Sequence, residues 1–217
     1  MGYRCEWEVV GVGAVTPLGD TIAASAAAVR AGIAAFEEHP FMIDRAGEPM
    51  VTARISRLED APLVERMIDM GVCAAREALA SGGAFGDGFA MPMFLGLPEG
   101  RPGWRDSDAE SVLEGIYLQL SGETAANERS MVPRGHASGL IALDVALSWI
   151  ANGRAEACLV GGVDSYENPD TLEHLDERDQ LHSAANPVGF VPGEGAGFCV
   201  VTSTSLARRF GLGTPAG

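Results

Sequence analysis

The stretch LIALDVALSWIANG (140–153) constrains this chain more than any other, because the helix predicted over 140–151 is apolar on nearly every face. Such a helix is stable only where other layers cover it, so it belongs in the middle of a fold. Around it lie short, continuous apolar runs at 8–15, 89–97 and 155–163, and the run FCVVTS, which read as strands buried on both faces. Between them, TIAASAAAVRA is a helix that Asp20 can cap and Gly32 stops. Leu63, Met67, Met70, Ala74 and Ala78 recur at helical spacing over 60–80, ahead of Ser81, Gly82 and Gly83. Residues 109–120 carry a weaker helical pattern, 98–108 read as a loop, and 33–57 read as irregular apart from a hairpin at Ala46–Gly47. Strands alternating with helices predict an α/β layered fold with a mostly parallel sheet. The 217 residues contain no internal repeat and no linker, so one domain over 1–217 is expected.

Charge narrows the chemistry. Thirty acidic residues face fifteen basic ones, giving a net charge of -15, and all the basic residues are arginine. Without lysine, a Schiff base, a pyridoxal phosphate anchor and a phosphate-loop GK[ST] are excluded. So acidic a chain repels phosphate backbones and anionic headgroups, so neither nucleic acid nor a membrane surface is an expected partner. No apolar run is long enough to span a membrane and MGYRCEWEVV has no signal-peptide core, so a cytoplasmic location is expected. Cys5, Cys73, Cys158 and Cys199 form no CxxC pair, and the last three sit in apolar stretches as small hydrophobes, so no disulfide framework or zinc knuckle is expected.

Three places invite a functional reading. Gly11-Val-Gly13 follows a strand and precedes a helix, but the third position of a dinucleotide fingerprint is Thr16, and a close-packed strand end is the preferred reading. His174 and His182 flank carboxylates in HLDERDQLH without matching a ligand motif, so a solvated acidic loop is expected, with no metal and no cofactor. The sharpest is Arg134-Gly-His-Ala-Ser-Gly139, directly before the apolar helix. A side chain there lies at a buried helix N-terminus, where N–H groups and the dipole stabilise an anion or oxyanion and disfavour a protonated His136. Alternatively it is a strand-to-helix turn in which Gly135 and Gly139 permit close packing and Ser138 caps the helix, and composition alone favours this.

These segments, taken in order, resemble the N-terminal half of the β-ketoacyl synthases, condensing enzymes of the thiolase superfamily. VVGVGAVTPLGD resembles their opening strand and turn, and AREALASGG the helix that follows. HASGLIALDVALSWIANGRAEACLVGGVDS resembles their active-site helix and next strand, and NPVGFVPGEGAG, the most specific match, their glycine-rich turn. The resemblance is weakest over 37–57 and 98–129. It implies an α/β thiolase-like half-fold, βαβαβαββ, with a mixed, mostly parallel sheet and helices on both faces. In that family the turn before the central helix carries Cys, then Ala or Ser, then Ser or Thr, then Gly, the cysteine being the acyl-accepting nucleophile. Ala137, Ser138 and Gly139 match, and His136 occupies the cysteine's position. An imidazole cannot replace a thiolate in that acyl relay, so His136 is the one candidate catalytic residue and standard condensation is expected to fail.

The resemblance further implies that the family's second half, with its two histidines and lysine, would begin where this sequence ends. LARRFGLGTPAG resembles the connection between halves, and His174 and His182 do not match the second-half positions. Three functions follow. The first is a fatty acid or polyketide subunit without condensing activity alone, which binds or shapes an acyl chain and pairs as a homodimer or with a second condensing-enzyme-like subunit. The second is half of a split acyltransferase completed in trans, with His136 acting on a thioester. The third is a pure scaffold docking an acyl carrier protein, for which Arg129, Arg134, Arg208 and Arg209 are the local candidates against an acidic carrier.

Overall fold

A computed structural model describes residues 7–82, 89–121 and 128–212. Among the described residues, seven strands and six α-helices follow in the order β1 (Trp7–Val15), α1 (Ile22–Arg30), β2 (Glu37–Ile43), β3 (Pro49–Thr52), α2 (Leu63–Ser81), β4 (Met93–Leu97), α3 (Asp106–Leu120), β5 (Arg129–Pro133), α4 (Ser138–Ala151), β6 (Ala157–Ser165), α5 (Pro169–Glu177), β7 (Glu194–Ser203) and α6 (Thr204–Phe210). Five strands form one sheet in the order β1-β7-β6-β4-β5, and β2 pairs with β3 as a separate hairpin. The sheet is mixed: β4 runs parallel to β5 and β6, while β7 is antiparallel to β6 and β1.

The sheet separates two apolar layers. Met67, Met70, Ala74 and Ala78 of α2 pack with Val112 and Ile116 of α3 on one face, against Leu95, Leu159 and Val200. Ala142, Ala146 and Ile150 of α4 cover the other, against Phe94, Val160 and Val201. Strands whose successive side chains enter both layers have no polar face, which is why they read as continuous apolar runs.

Several local expectations are corrected. Thr21, not Asp20, caps α1: its hydroxyl accepts from the Ala24 N–H, while Asp20 pairs with Arg57. The second strand begins at Met93 rather than Phe89, since Pro92 brings no N–H to a ladder. Its expected boundary at Gly88, the stop at Gly83 and Cys5 lie outside the described residues. The hairpin at Ala46–Gly47 extends further than sequence indicates, occupying most of 37–52, with Gly47 at φ 87° in the turn. Among the described residues no helix is long and apolar enough to cross a membrane.

Candidate functional site at the head of the central helix

Strand β5 passes into α4 through one 3-10 turn, Gly135–Ala137. Gly135 stands at φ 56°, a conformation an L side chain adopts only at a cost, and the turn swings His136 out at the head of the helix. Ser138 is already the first helical residue and Ala137 occupies the cap position, so Ser138 does not cap the helix as the turn reading expected. Beneath this head, a Cβ on Gly96 of β4 would lie 2.7 Å from the Gly139 nitrogen, so glycine is what lets α4 settle on the strand ends.

His136 itself is exposed, which corrects the expectation of a buried helix terminus. It borders two hollows. One, of about 380 Å³, lies over the strand ends, with Gly96, Gly162, Gly195 and Gly197 among its lining. The other is a cleft of about 710 Å³ running from His136 to α5, where His174 stands on the wall. Arg101 is gripped there by Asp164 through two bonds of 2.6 and 3.2 Å, donates to the Ser165 carbonyl at 2.7 Å, and lies 4.3 Å from the Tyr166 ring centroid. Tyr166 meets Phe190 edge-on at 5.6 Å. The cleft thus combines a fixed ion pair, two aromatic rings and an accessible imidazole.

The structure does not unite the other candidates. His174 shares the cleft with His136, but His182 is an exposed residue whose Nδ1 lies 3.3 Å from the Pro187 carbonyl. No three metal-ligating side chains converge among the described residues. Gly11 and Gly13 are contact points and not a nucleotide loop, since a Cβ on either would lie 2.1 or 2.2 Å from a carbonyl of α2. Burial pushes the Cys158 thiol up to about 12 and Cys199 to about 11, and Cys73 is raised by burial and then by Asp69. All three are poor nucleophiles. Arg129 is tied to Glu114 at 2.7 Å and Arg209 to Glu156 at 3.3 Å, while Arg134 and Arg208 are exposed.

Sequence reasoning missed a buried polar network behind the cleft. Glu194 accepts from Arg66 and from the Ile55 N–H, each at 2.7 Å, and from the Ser165 hydroxyl at 2.8 Å. Beside it, His39 meets Glu167 at 3.2 Å. An arginine inside an apolar helical stripe and a glutamate inside a glycine-rich turn were the available signals, since both need a partner if buried.

No curated protein matches the sequence. The family profile described as β-ketoacyl synthase, N-terminal domain, matches residues 132–207, which includes the head of α4 and all of β6 and β7. Solved structures with the same fold include a type II polyketide synthase acyl-carrier protein in complex with its ketosynthase bound to the hexaketide. It has a TM-score of 0.75 and 17% identity, with 96% of this chain and 60% of that one covered. A β-ketoacyl synthase from Burkholderia phymatum STM815 aligns with a TM-score of 0.70 at 18% identity, over 97% of this chain and 62% of that one. The ishigamide ketosynthase/chain length factor aligns at 0.66 and 21% identity, over 94% and 64%. The chain therefore spans less than two thirds of each of these structures. The chain shares the fold of these structures, and over residues 132–207 its sequence is similar to the N-terminal domain of the β-ketoacyl synthases.

Proposed function

We propose that the chain is a ketosynthase-like subunit of a fatty acid or polyketide assembly that has no condensing activity of its own. It acts as one domain, holds an acyl chain beside the head of α4, and works paired with a second copy or a second condensing-enzyme-like subunit. The observation that carries this reading is His136 at the head of α4, where the family resemblance calls for a thiol. An acyl group on imidazole hydrolyses readily, so it is a poor resting place for a chain awaiting a carbanion. The described cysteines offer no substitute, because burial keeps their thiols protonated.

Pairing is supported by two features. Leu140 is 75% exposed and Ile141 40% exposed on α4, the helix whose composition calls for cover on all sides. Strand β5 ends the sheet, while the opposite edge strand, β1, is already bonded to the Ser81 and Glu77 side chains of α2. An open edge with one unpaired face is a template for another chain. Two of the similar structures are a ketosynthase with an acyl-carrier protein and a ketosynthase/chain length factor, which supports partners of those kinds here. A cytoplasmic setting is part of the same proposal.

The test is intact-mass analysis after incubation with an acyl thioester. Wild type is expected to gain no acyl adduct and to give no condensation product, whereas His136→Cys gains one adduct. A stable adduct on wild type, or unaided condensation, overturns the proposal. A second reading rests on the exposure of His136 to both hollows, which lets a substrate reach it. In that reading a partner-completed enzyme decarboxylates or hydrolyses a thioester, with activity that requires the partner and disappears in His136→Ala.

A further inference from the structure

The β2–β3 hairpin is joined to the rest of the molecule through buried titratable groups. His39 of β2 and Glu167, just beyond β6, retain only 10% and 6% of their side-chain exposure and meet at 3.2 Å. The backbone N–H groups of Phe41 and Met42 both point at His39 Nδ1, at 3.2 and 3.0 Å. Nδ1 must therefore accept, and the ring proton sits on Nε2, donating to Glu167 Oε2. The other carboxyl oxygen, Oε1, is buried without a hydrogen-bond partner. A neutral carboxyl tolerates that position far better than a carboxylate does.

The surrounding charges come from every element packed here: Glu37 from β2, Arg54 from the segment after β3, Glu59 and Arg66 from around the start of α2, and Glu194 from β7. Burial first, and then Glu194, hold the Glu167 carboxyl up to about 7, against the pull of Arg54 and Arg66. Burial first, and then Arg54, push His39 below its ordinary value, against the pull of Glu37.

The hairpin also braces the cleft. Its Met42 and Met50 pack with Leu172, Leu175 and Leu181 and with Tyr166, and of these Leu175 and Tyr166 line the cleft. The Arg45 N–H donates to Asp176 of α5 at 2.9 Å.

We propose that the β2–β3 hairpin is a pH-sensitive clamp on the wall of the cleft, seated while Glu167 is protonated and loosened when it ionises. The direction follows from linkage. An acid raised in the seated state contributes stability that is complete below its ordinary value and is lost as pH rises through the raised one. Loosening frees Tyr166 and Leu175 from their packing, so acidification tightens the cleft wall and mild alkali relaxes it.

The test is amide hydrogen exchange from pH 6 to 8, corrected for intrinsic rates, on the full chain. In wild type the opening constant for residues 37–52 is expected to rise roughly tenfold across that range. Residues 63–81 of α2 serve as the internal control and stay unchanged. Glu167→Gln is expected to hold the hairpin protected at both pH values. A flat wild-type profile, or the same rise in Glu167→Gln, overturns the proposal. Arg54→Gln provides an independent check should Glu167→Gln fail to fold. Removing a cation that favours the carboxylate moves the transition to higher pH, and an unmoved transition overturns the proposal.

Discussion

Glu194 lies inside the glycine-rich turn that opens β7, with its side chain fully buried and Arg66 as its counter-ion at 2.7 Å. Both of its oxygens are engaged, by Ile55, Arg66 and Ser165, so the carboxylate links four separate segments of the chain. Removing one partner of such a pair strands a buried charge, which costs far more than the pair itself contributes. Arg66→Met is therefore expected to lose about 3–5 kcal/mol of stability in urea unfolding, with Glu194→Gln losing less because the amide keeps some of the bonds. Gly13 makes a second demand on this scale. A methyl group there would meet the Ala74 carbonyl 2.2 Å away, so Gly13→Ala is expected to push α2 off β1 and cost about 3 kcal/mol in the same measurement.

At the scale of elements, α1 tests how helix ends are read. Asp and Thr stand side by side as Asp20-Thr21, both are good caps by type, and only the backbone decides between them: Thr21 holds the extended conformation of a cap, at φ -140°. Thr21→Ala is expected to lower stability by about 1 kcal/mol. Asp20→Ala should instead act through the exposed ion pair with Arg57, an effect of under about 1 kcal/mol that salt screens. Paired thermal melts at low and high salt separate the two. Helix α4 carries a different lesson. Its sequence is apolar around the whole circumference, yet only the stripe of Ser138, Ala142, Ala146 and Ile150 is buried in this chain. The small residues face the sheet because a helix must approach closely, and the larger ones, Leu140 and Ile141, point away.

For the whole molecule, the outward-facing side of α4 and the open edge at β5 bear on assembly. If they are covered by a second copy or a partner, Leu140→Glu is expected to weaken association at least tenfold while leaving the monomer folded, because that side chain is three-quarters exposed. Light scattering after size exclusion, with circular dichroism on the same sample, checks both halves of the prediction. Unchanged mass in the variant would remove this face from the interface. Charge works in the opposite direction, since a net charge of -15 disfavours an acidic partner unless arginines meet it. Arg134 is exposed two residues before His136, and if an acidic carrier protein docks at this site, Arg134→Glu is expected to weaken the complex in a salt-dependent manner.

What the sequence by itself determined was the succession of the longer apolar elements, β1, α1, α2, β4, α3, α4, β6 and β7, and the position of the turn that holds His136, whereas β5, α5 and α6 carried no pattern strong enough to read, and α5 stands where a solvated acidic loop was expected. Periodicity reports local geometry, and a strand buried on both faces or a helix head behind a glycine turn writes that geometry into neighbouring residues. The family resemblance was legible for the same reason, since HASGLIALDVALSWI and GFVPGEGAG are contiguous segments. Only the tertiary structure decided which side of α4 is buried, that His136 opens onto a cleft shared with His174, and that Glu194 meets Arg66 and Glu167 meets His39 across 128 residues each. Those contacts join segments distant along the chain, and their energies depend on burial and on the charges nearby, neither of which any local pattern of residues records.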